Sequence, residues 1–112
     1  MLPVFIDIAT KDTSEELQSW AIDYISEHTK DKNRSVQTLI DIFHAVPKQR
    51  EEQRRQIFYA IADVGNDRAV DFLGTVARTS EDYHLRREAV FYLGNIGTDM
   101  ARAVLYGILQ GK

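Results

Sequence analysis

The 112-residue sequence contains no cysteine. The chain therefore has no disulfide framework, no thiol nucleophile and no cysteine-ligated metal site, and the redox compartment stays open. Hydrophobic residues nevertheless make up 44% of the chain and charged residues 28%. This composition is enough for one compact domain with a core, and we expect a single domain over residues 1–112.

Long apolar runs are also missing, and none approaches the roughly 18 residues that a membrane span needs. The first seven residues lack the basic region and the apolar stretch of a signal peptide. The sequence therefore predicts no membrane association and a cytoplasmic location by default. A periplasmic or exported location is expected only if a longer parent protein carries a signal peptide.

An excess of positive charge is absent as well. The formal net charge is -3, and residues 1–47 carry four Lys and Arg against eight Asp and Glu, whereas residues 48–112 carry ten against nine. Proteins that bind a phosphate backbone usually gather Lys and Arg on one face, because counterion release provides most of the non-specific affinity. The charge balance therefore argues against a nucleic-acid partner.

What the sequence does contain is an internal repeat. A shift of 32 residues places residues 54–69 on residues 86–101, so that both Arg pairs, a Gly, an Asp and an Ala coincide. A shift of 68 residues places residues 2–25 on residues 70–93 and adds a copy near the N-terminus. Apolar residues in the copies recur at three-to-four spacing, which is typical of amphipathic helices.

The junctions between helices can also be recognised. Gly65 and Gly97 occupy positions where a helix ends in the left-handed conformation that glycine adopts without strain. Asn66-Asp67 and Thr98-Asp99 then supply side-chain oxygens that can cap the next helix. The pattern predicts seven helices, at residues 2–10, 14–28, 34–45, 49–64, 68–78, 81–96 and 99–110.

The best-preserved copy, residues 85–97, combines Arg at the start of a helix with a small residue four positions before a Leu. Ile-Gly-x-Asp follows at the turn, and then Ala-x-x-x-Leu. This motif resembles the short bacterial HEAT-like repeat, which also occurs in phycobilisome lyases. The resemblance implies an all-α, right-handed α–α superhelix, a HEAT-like or armadillo-like solenoid with about seven helices in three and a half hairpins. Residues 1–12 would form a half repeat, residues 13–47, 48–79 and 80–112 full repeats, and the chain the C-terminal part of a longer protein.

Two roles can be assigned to the repeated arginines. In the resembling family such an Arg usually reaches the turn Asp of an adjacent repeat, which implies a structural arginine–aspartate ladder between repeats. With Lys48 and Arg50 the same arginines would alternatively form a basic patch for an acidic partner or a phosphate. The expected ladder consists of Arg54, Arg55, Asp67, Arg86, Arg87 and Asp99.

The aromatic residues come partly in adjacent pairs, Phe58-Tyr59 and Phe91-Tyr92, whose side chains point about 100° apart on a helix. One member of each pair can therefore be exposed, and an aromatic partner-binding patch is one interpretation. We instead expect these residues, and the single tryptophan Trp20, to be buried between repeats.

Residues for catalysis or metal binding do not come together in the sequence. His28, His44 and His84 fall at unrelated repeat positions and are not paired at helical spacing with one another or with a carboxylate. No Gly-rich phosphate loop and no Ser/His/Asp arrangement is recognisable. We expect no catalytic residue, no cofactor and no metal.

The repeat and these absences predict a non-catalytic protein–protein interaction scaffold. A solenoid of this type presents a concave surface lined by its second helices, where the mixed charges favour a protein or peptide partner. A bilin-lyase-like enzyme module, nucleic-acid binding and self-association through the open N-terminal end are the alternatives. The expected concave positions are Arg34, Gln37, Asp41, His44, Arg68, Asp71, Thr75 and Arg78.

Overall fold

The structure, a computed structural model, describes residues 15–28 and 30–111. This part of the chain forms six α-helices and no strand, so the predicted all-α repeat fold is confirmed. The predicted helix at residues 2–10 and the half repeat 1–12 lie outside the described residues. The helices are α1 (Glu15–His28), α2 (Lys32–Ala45), α3 (Glu51–Val64), α4 (Asp67–Thr79), α5 (Tyr83–Ile96) and α6 (Asp99–Leu109).

Side-chain caps explain where four of these helices begin. In each case the side-chain oxygen of the residue before the helix accepts a hydrogen bond from a backbone N–H of the first turn, which has no partner inside the helix. The capping bonds run from Asn33 N to Asp31 Oδ1 (3.0 Å), from Ala69 N to Asn66 Oδ1 (3.0 Å), from His84 N to Asp82 Oδ1 (2.9 Å) and from Ala101 N to Thr98 Oγ1 (3.2 Å). The predicted capping by Asn66 and Thr98 is therefore confirmed.

Glycine ends two of the helices. Gly65 and Gly97 have φ values of 63° and 65°, in the left-handed region that favours glycine. The backbone N–H of Gly97 also donates to the carbonyl of Leu93 at 3.2 Å. The prediction that these glycines mark helix ends is confirmed.

The described helices fall into two compact units, divided between Val64 and Gly65. The predicted repeat boundaries at residues 47 and 79 fall inside these units and stay predictions. In the first unit, α1, α2 and α3 each pack against the other two. A buried hydrogen bond from Ser35 Oγ to the carbonyl of Ile25, at 3.1 Å, joins α2 to α1. The fully buried large side chains of this unit are Ile22, Ile25, Val36, Leu39, Ile42, Val46, Ile57, Phe58 and Ile61.

In the second unit, α4, α5 and α6 also pack pairwise. The helices α4 and α6 are in close contact at Gly74, where a Cβ atom would lie 2.8 Å from Val104 Cγ1. Only glycine permits this distance. None of the helices in the described residues is long and apolar enough to cross a membrane.

The contact at Gly74 generates a stability prediction. Gly74→Ala adds helix propensity but also a methyl group that overlaps Val104, and we expect a net loss of about 1 kcal/mol in the free energy of unfolding. In a Val104→Ala background the overlap is gone, so the same change should stabilise by about 0.5–1 kcal/mol. Urea denaturation of the two single variants and the double variant measures both effects.

Gly94→Ala is the matched control, because Gly94 is exposed within α5 and a Cβ atom there would lie 4.0 Å from Leu105 Cδ1. This change should stabilise the protein by about 0.5–1 kcal/mol in either background. Equal effects of Gly74→Ala with and without Val104 would contradict the proposed overlap.

Candidate partner-binding surface

The first row of candidate binding residues lies on α2. Arg34, Gln37, Asp41 and His44 share one face of this helix at helical spacing, and all are exposed except Gln37, which is half-buried. Gln37 Nε2 donates a hydrogen bond to Asp41 Oδ1 at 2.9 Å. The apolar residues of α2, among them Val36, Leu39 and Phe43, are buried. The row is therefore the polar side of an amphipathic helix.

The second row lies on α4 and has the same spacing. Arg68, Asp71, Thr75 and Arg78 are all exposed. The Thr75 hydroxyl donates to the backbone carbonyl of Asp71 at 3.1 Å. Two arginines at the ends and an aspartate between them give this row both signs of charge.

Arg78 extends from α4 toward α6. Its Nη2 atom lies 3.5 Å from the position that a Cβ atom would take at Gly107, and its Nη1 atom lies 3.3 Å from the corresponding position at Gly74. The 32-residue shift places Gly107 at the position of Thr75, and Ala103 at the position of Asp71. On α6, Gly107 therefore lies beside the Arg78 end of the α4 row, a contact that the repeat pattern did not predict.

Arg54, one residue of the expected ladder, makes two contacts within the first unit. It is half-buried, and its Nη1 atom donates to the carbonyl of Val46 at 3.2 Å. Its guanidinium carbon lies 4.1 Å from the centroid of the Phe43 ring, which in turn lies 5.8 Å from the Phe58 ring. Arg54 therefore joins the start of α3 to the end of α2.

The other arginines of the expected ladder are exposed. In the second unit, Arg86 and Arg87 have guanidinium carbons 5.7 Å and 5.8 Å from the Tyr83 ring centroid. Asp67 and Asp99 are exposed in the first turns of α4 and α6, where the helix dipole favours a negative charge. The pairing of repeat arginines with turn aspartates stays a prediction.

The expected burial of the aromatic residues is correct only in part. Phe58 is fully buried, whereas Tyr59 is 57% exposed and Phe91 63% exposed. Trp20, for which burial was also expected, is 51% exposed and lies 5.9 Å from the Tyr24 ring. Tyr59 and Phe91 correspond under the 32-residue shift, so exposure of an aromatic side chain at this position recurs from one repeat to the next.

A shallow depression of about 290 Å³ lies on the outer face of α5. It is lined by His84, Arg87, Glu88 and Phe91, which all come from this one helix. Among the described residues, no group of three or more His, Cys, Asp or Glu side chains is placed to hold a metal ion. The depression offers one exposed aromatic ring beside polar side chains of both charges.

The sequence is similar to a known family of repeat proteins. The model described as HEAT repeats matches residues 36–112. No similar curated protein and no similar solved structure was found.

The contacts of Arg54 predict that this side chain stabilises the fold. Arg54→Met removes the donor to the Val46 carbonyl and the cation over Phe43, so the free energy of unfolding should fall by about 1–2 kcal/mol. Arg54→Lys keeps the charge but not the planar guanidinium, and should recover less than half of the loss. Chemical denaturation measures both variants.

Arg55→Met serves as the control, because Arg55 is exposed at the adjacent position of α3. Its effect should stay within about 0.5 kcal/mol. A loss for Arg54→Met no larger than that of the control would contradict the role assigned to Arg54.

Proposed function

The chain belongs to the HEAT repeat family, and from this premise we propose that it is a non-catalytic protein–protein interaction scaffold. HEAT repeats commonly serve as such scaffolds. In a stack of helix pairs each pair covers the apolar face of its neighbour, so the outward faces remain available for a partner.

The proposal rests mainly on α4, which has one buried apolar face and one exposed polar face. Val70, Leu73 and Val76 are buried, while the four polar residues of the α4 row lie on the exposed side. Because the four polar side chains of this row are exposed, substitutions at these positions can suit a partner at little cost in stability. Its arginines and aspartate favour a protein or peptide surface that carries both charges.

A bilin-lyase-like enzyme is less well supported. Such an activity requires a cleft large enough for a tetrapyrrole and lined by His and Asp side chains. The depression on α5, about 290 Å³, lies at the lower end of the usual size of ligand pockets, about 300–1,000 Å³. Its lining includes one histidine and no aspartate.

Nucleic-acid binding is also less well supported. A phosphate backbone requires a continuous stripe of positive charge. The α2 row contains one arginine and one aspartate, and the α4 row contains two arginines and one aspartate. Neither row by itself forms such a stripe.

Site-specific photocrosslinking tests the proposed surface. We expect a photoreactive residue at Thr75 to give a discrete crosslinked protein, and the same residue at Asp63, exposed on α3, to give none. Arg68→Glu together with Arg78→Glu should reduce the Thr75 adduct at least about tenfold, because charged anchors of an interface are lost and replaced by repulsive charges. Adducts are identified and quantified by mass spectrometry.

A charge-reversed variant at an exposed site on a different helix, Arg55→Glu, controls for charge reversal as such and should leave the adduct intact. Equal adducts from Thr75 and Asp63, or an adduct at Thr75 that survives reversal of both arginines, would rule out the α4 row as the binding surface.

A further inference from the structure

The first helix of each helix pair (α1, α3 and α5) has one side that is exposed in every described copy of the repeat. The shifts of 68 and 32 residues make Asp23, Tyr59 and Phe91 equivalent, and all three are exposed. The next equivalent set is exposed as well and consists of Glu27, Asp63 and Asn95. Other helices precede and follow α3 in the chain, so this exposure does not arise because a helix lies near an end of the sequence.

In the first unit, α1 and α3 pack against each other and bury equivalent positions. A shift of 36 residues carries Ala21 onto Ile57, Ile22 onto Phe58 and Ile25 onto Ile61, all of them buried. The exposed residues lie opposite these positions, within an arc of about 60° on each helix. Stacked copies of a repeat have the same orientation, so the two exposed arcs face the same side of the unit. We call this surface the outer patch, and it consists of Trp20, Asp23, Glu27, Tyr59 and Asp63.

Two aromatic rings of the outer patch are at the surface. Trp20 is 51% exposed and Tyr59 is 57% exposed. The Trp20 ring also lies 5.9 Å from the ring of Tyr24, at an interplanar angle of 41°. Large aromatic rings provide much of the contact area in protein interfaces, and their negative faces attract cations.

The charges of the outer patch are negative. Asp23 and Glu27 on α1 and Asp63 on α3 are all exposed. The whole of α1 contains four Asp and Glu and no Lys or Arg. On α3, Arg55 is exposed one turn before Tyr59, so the negative charge is concentrated toward the C-terminal ends of the two helices. Such a surface repels phosphate groups and attracts cations.

We propose that the outer patch binds an arginine-containing segment of a partner protein. Its guanidinium groups would stack on the rings of Trp20 and Tyr59 and pair with the neighbouring carboxylates. Arginine suits both contacts, because its planar group stacks on aromatic faces and forms two parallel hydrogen bonds to a carboxylate, whereas lysine is a point charge. The outer patch and the α4 row lie on different helices, so the site does not depend on the function proposed for that row.

Other occupants are less suitable. Symmetric pairing of two copies would place the same patch on itself, and its carboxylates would then face carboxylates, which is unfavourable. Among the described residues, no group of three or more carboxylate or histidine side chains is placed to hold a metal ion. The combination of exposed rings and negative charge therefore favours a cationic protein segment.

The fluorescence of Trp20 tests the proposal in the full chain, because it is the only tryptophan and lies in the outer patch. The chain is titrated with a peptide in which Arg alternates with Gly-Ser, and with peptides that carry Lys or citrulline in place of Arg. Citrulline keeps the planar shape of arginine without its charge. We expect a saturable change in Trp20 emission with the Arg peptide, at least about threefold weaker binding of the Lys peptide and no binding of the citrulline peptide.

Removal of two carboxylates tests the electrostatic part. Asp23→Asn together with Glu27→Gln should weaken binding of the Arg peptide at least about fivefold. Asp99→Asn together with Glu81→Gln is the matched control, because it removes the same two charges from exposed positions of the second unit. This control should leave the affinity within about twofold, and circular dichroism establishes that both double variants remain folded.

Replacement of an aromatic ring tests the stacking part. Tyr59→Leu keeps an apolar side chain but removes the aromatic face, so the Arg and Lys peptides should then bind within about twofold of each other. Phe91→Leu is the control, because Phe91 is the equivalent exposed residue of α5, and it should preserve the preference for Arg.

Three results would overturn the proposal: no saturable binding of the Arg peptide, equal losses for the two double variants, or binding of a labelled Arg peptide that leaves Trp20 emission unchanged. Sedimentation of the chain alone distinguishes a second copy as the occupant. A dimer that forms as concentration rises and disappears in the Asp23→Asn, Glu27→Gln variant would show that the outer patch binds another copy of the chain instead.

Discussion

The apolar face of a helix has to be shielded from water, and a single pair of helices of this length cannot shield both of its apolar faces by itself. In this chain the covering comes from further helices of the same pattern. The second unit illustrates the dependence, because α4 packs against both α5 and α6 and buries six of its residues. The stability of each helix is therefore set by its neighbours more than by its own propensity, as in other repeat proteins.

Local interactions define where each helix begins and ends, and therefore which residues form its apolar face. Asn66 and Thr98 cap the starts of α4 and α6, and Gly97 ends α5 in a left-handed turn. In the first unit Arg54 adds a longer connection, from α3 to the backbone carbonyl of Val46 directly after α2. These contacts define the ends of the helices within each unit.

The same constraint gives the helices different exposed surfaces. Where a stripe is covered, the opposite side of the helix is free to carry polar residues, as in the rows on α2 and α4. Where a stripe is only half covered, as on α6, an apolar face with one arginine remains exposed. The rows on α2 and α4 carry both signs of charge, whereas Tyr106 and Leu109 are exposed on α6.

The sequence by itself determined the six described helices, the caps at Asn66 and Thr98, and the repeat, because periodicity and capping depend on residues close together in the chain. It also determined the outward rows, since the buried stripe of a helix leaves only the opposite side for solvent. Only the tertiary structure decided that Tyr59, Phe91 and Trp20 are exposed and that Gly74 meets Val104. Those outcomes depend on the spacing and rotation of neighbouring helices, which side chains distant in sequence set together and which no local pattern records.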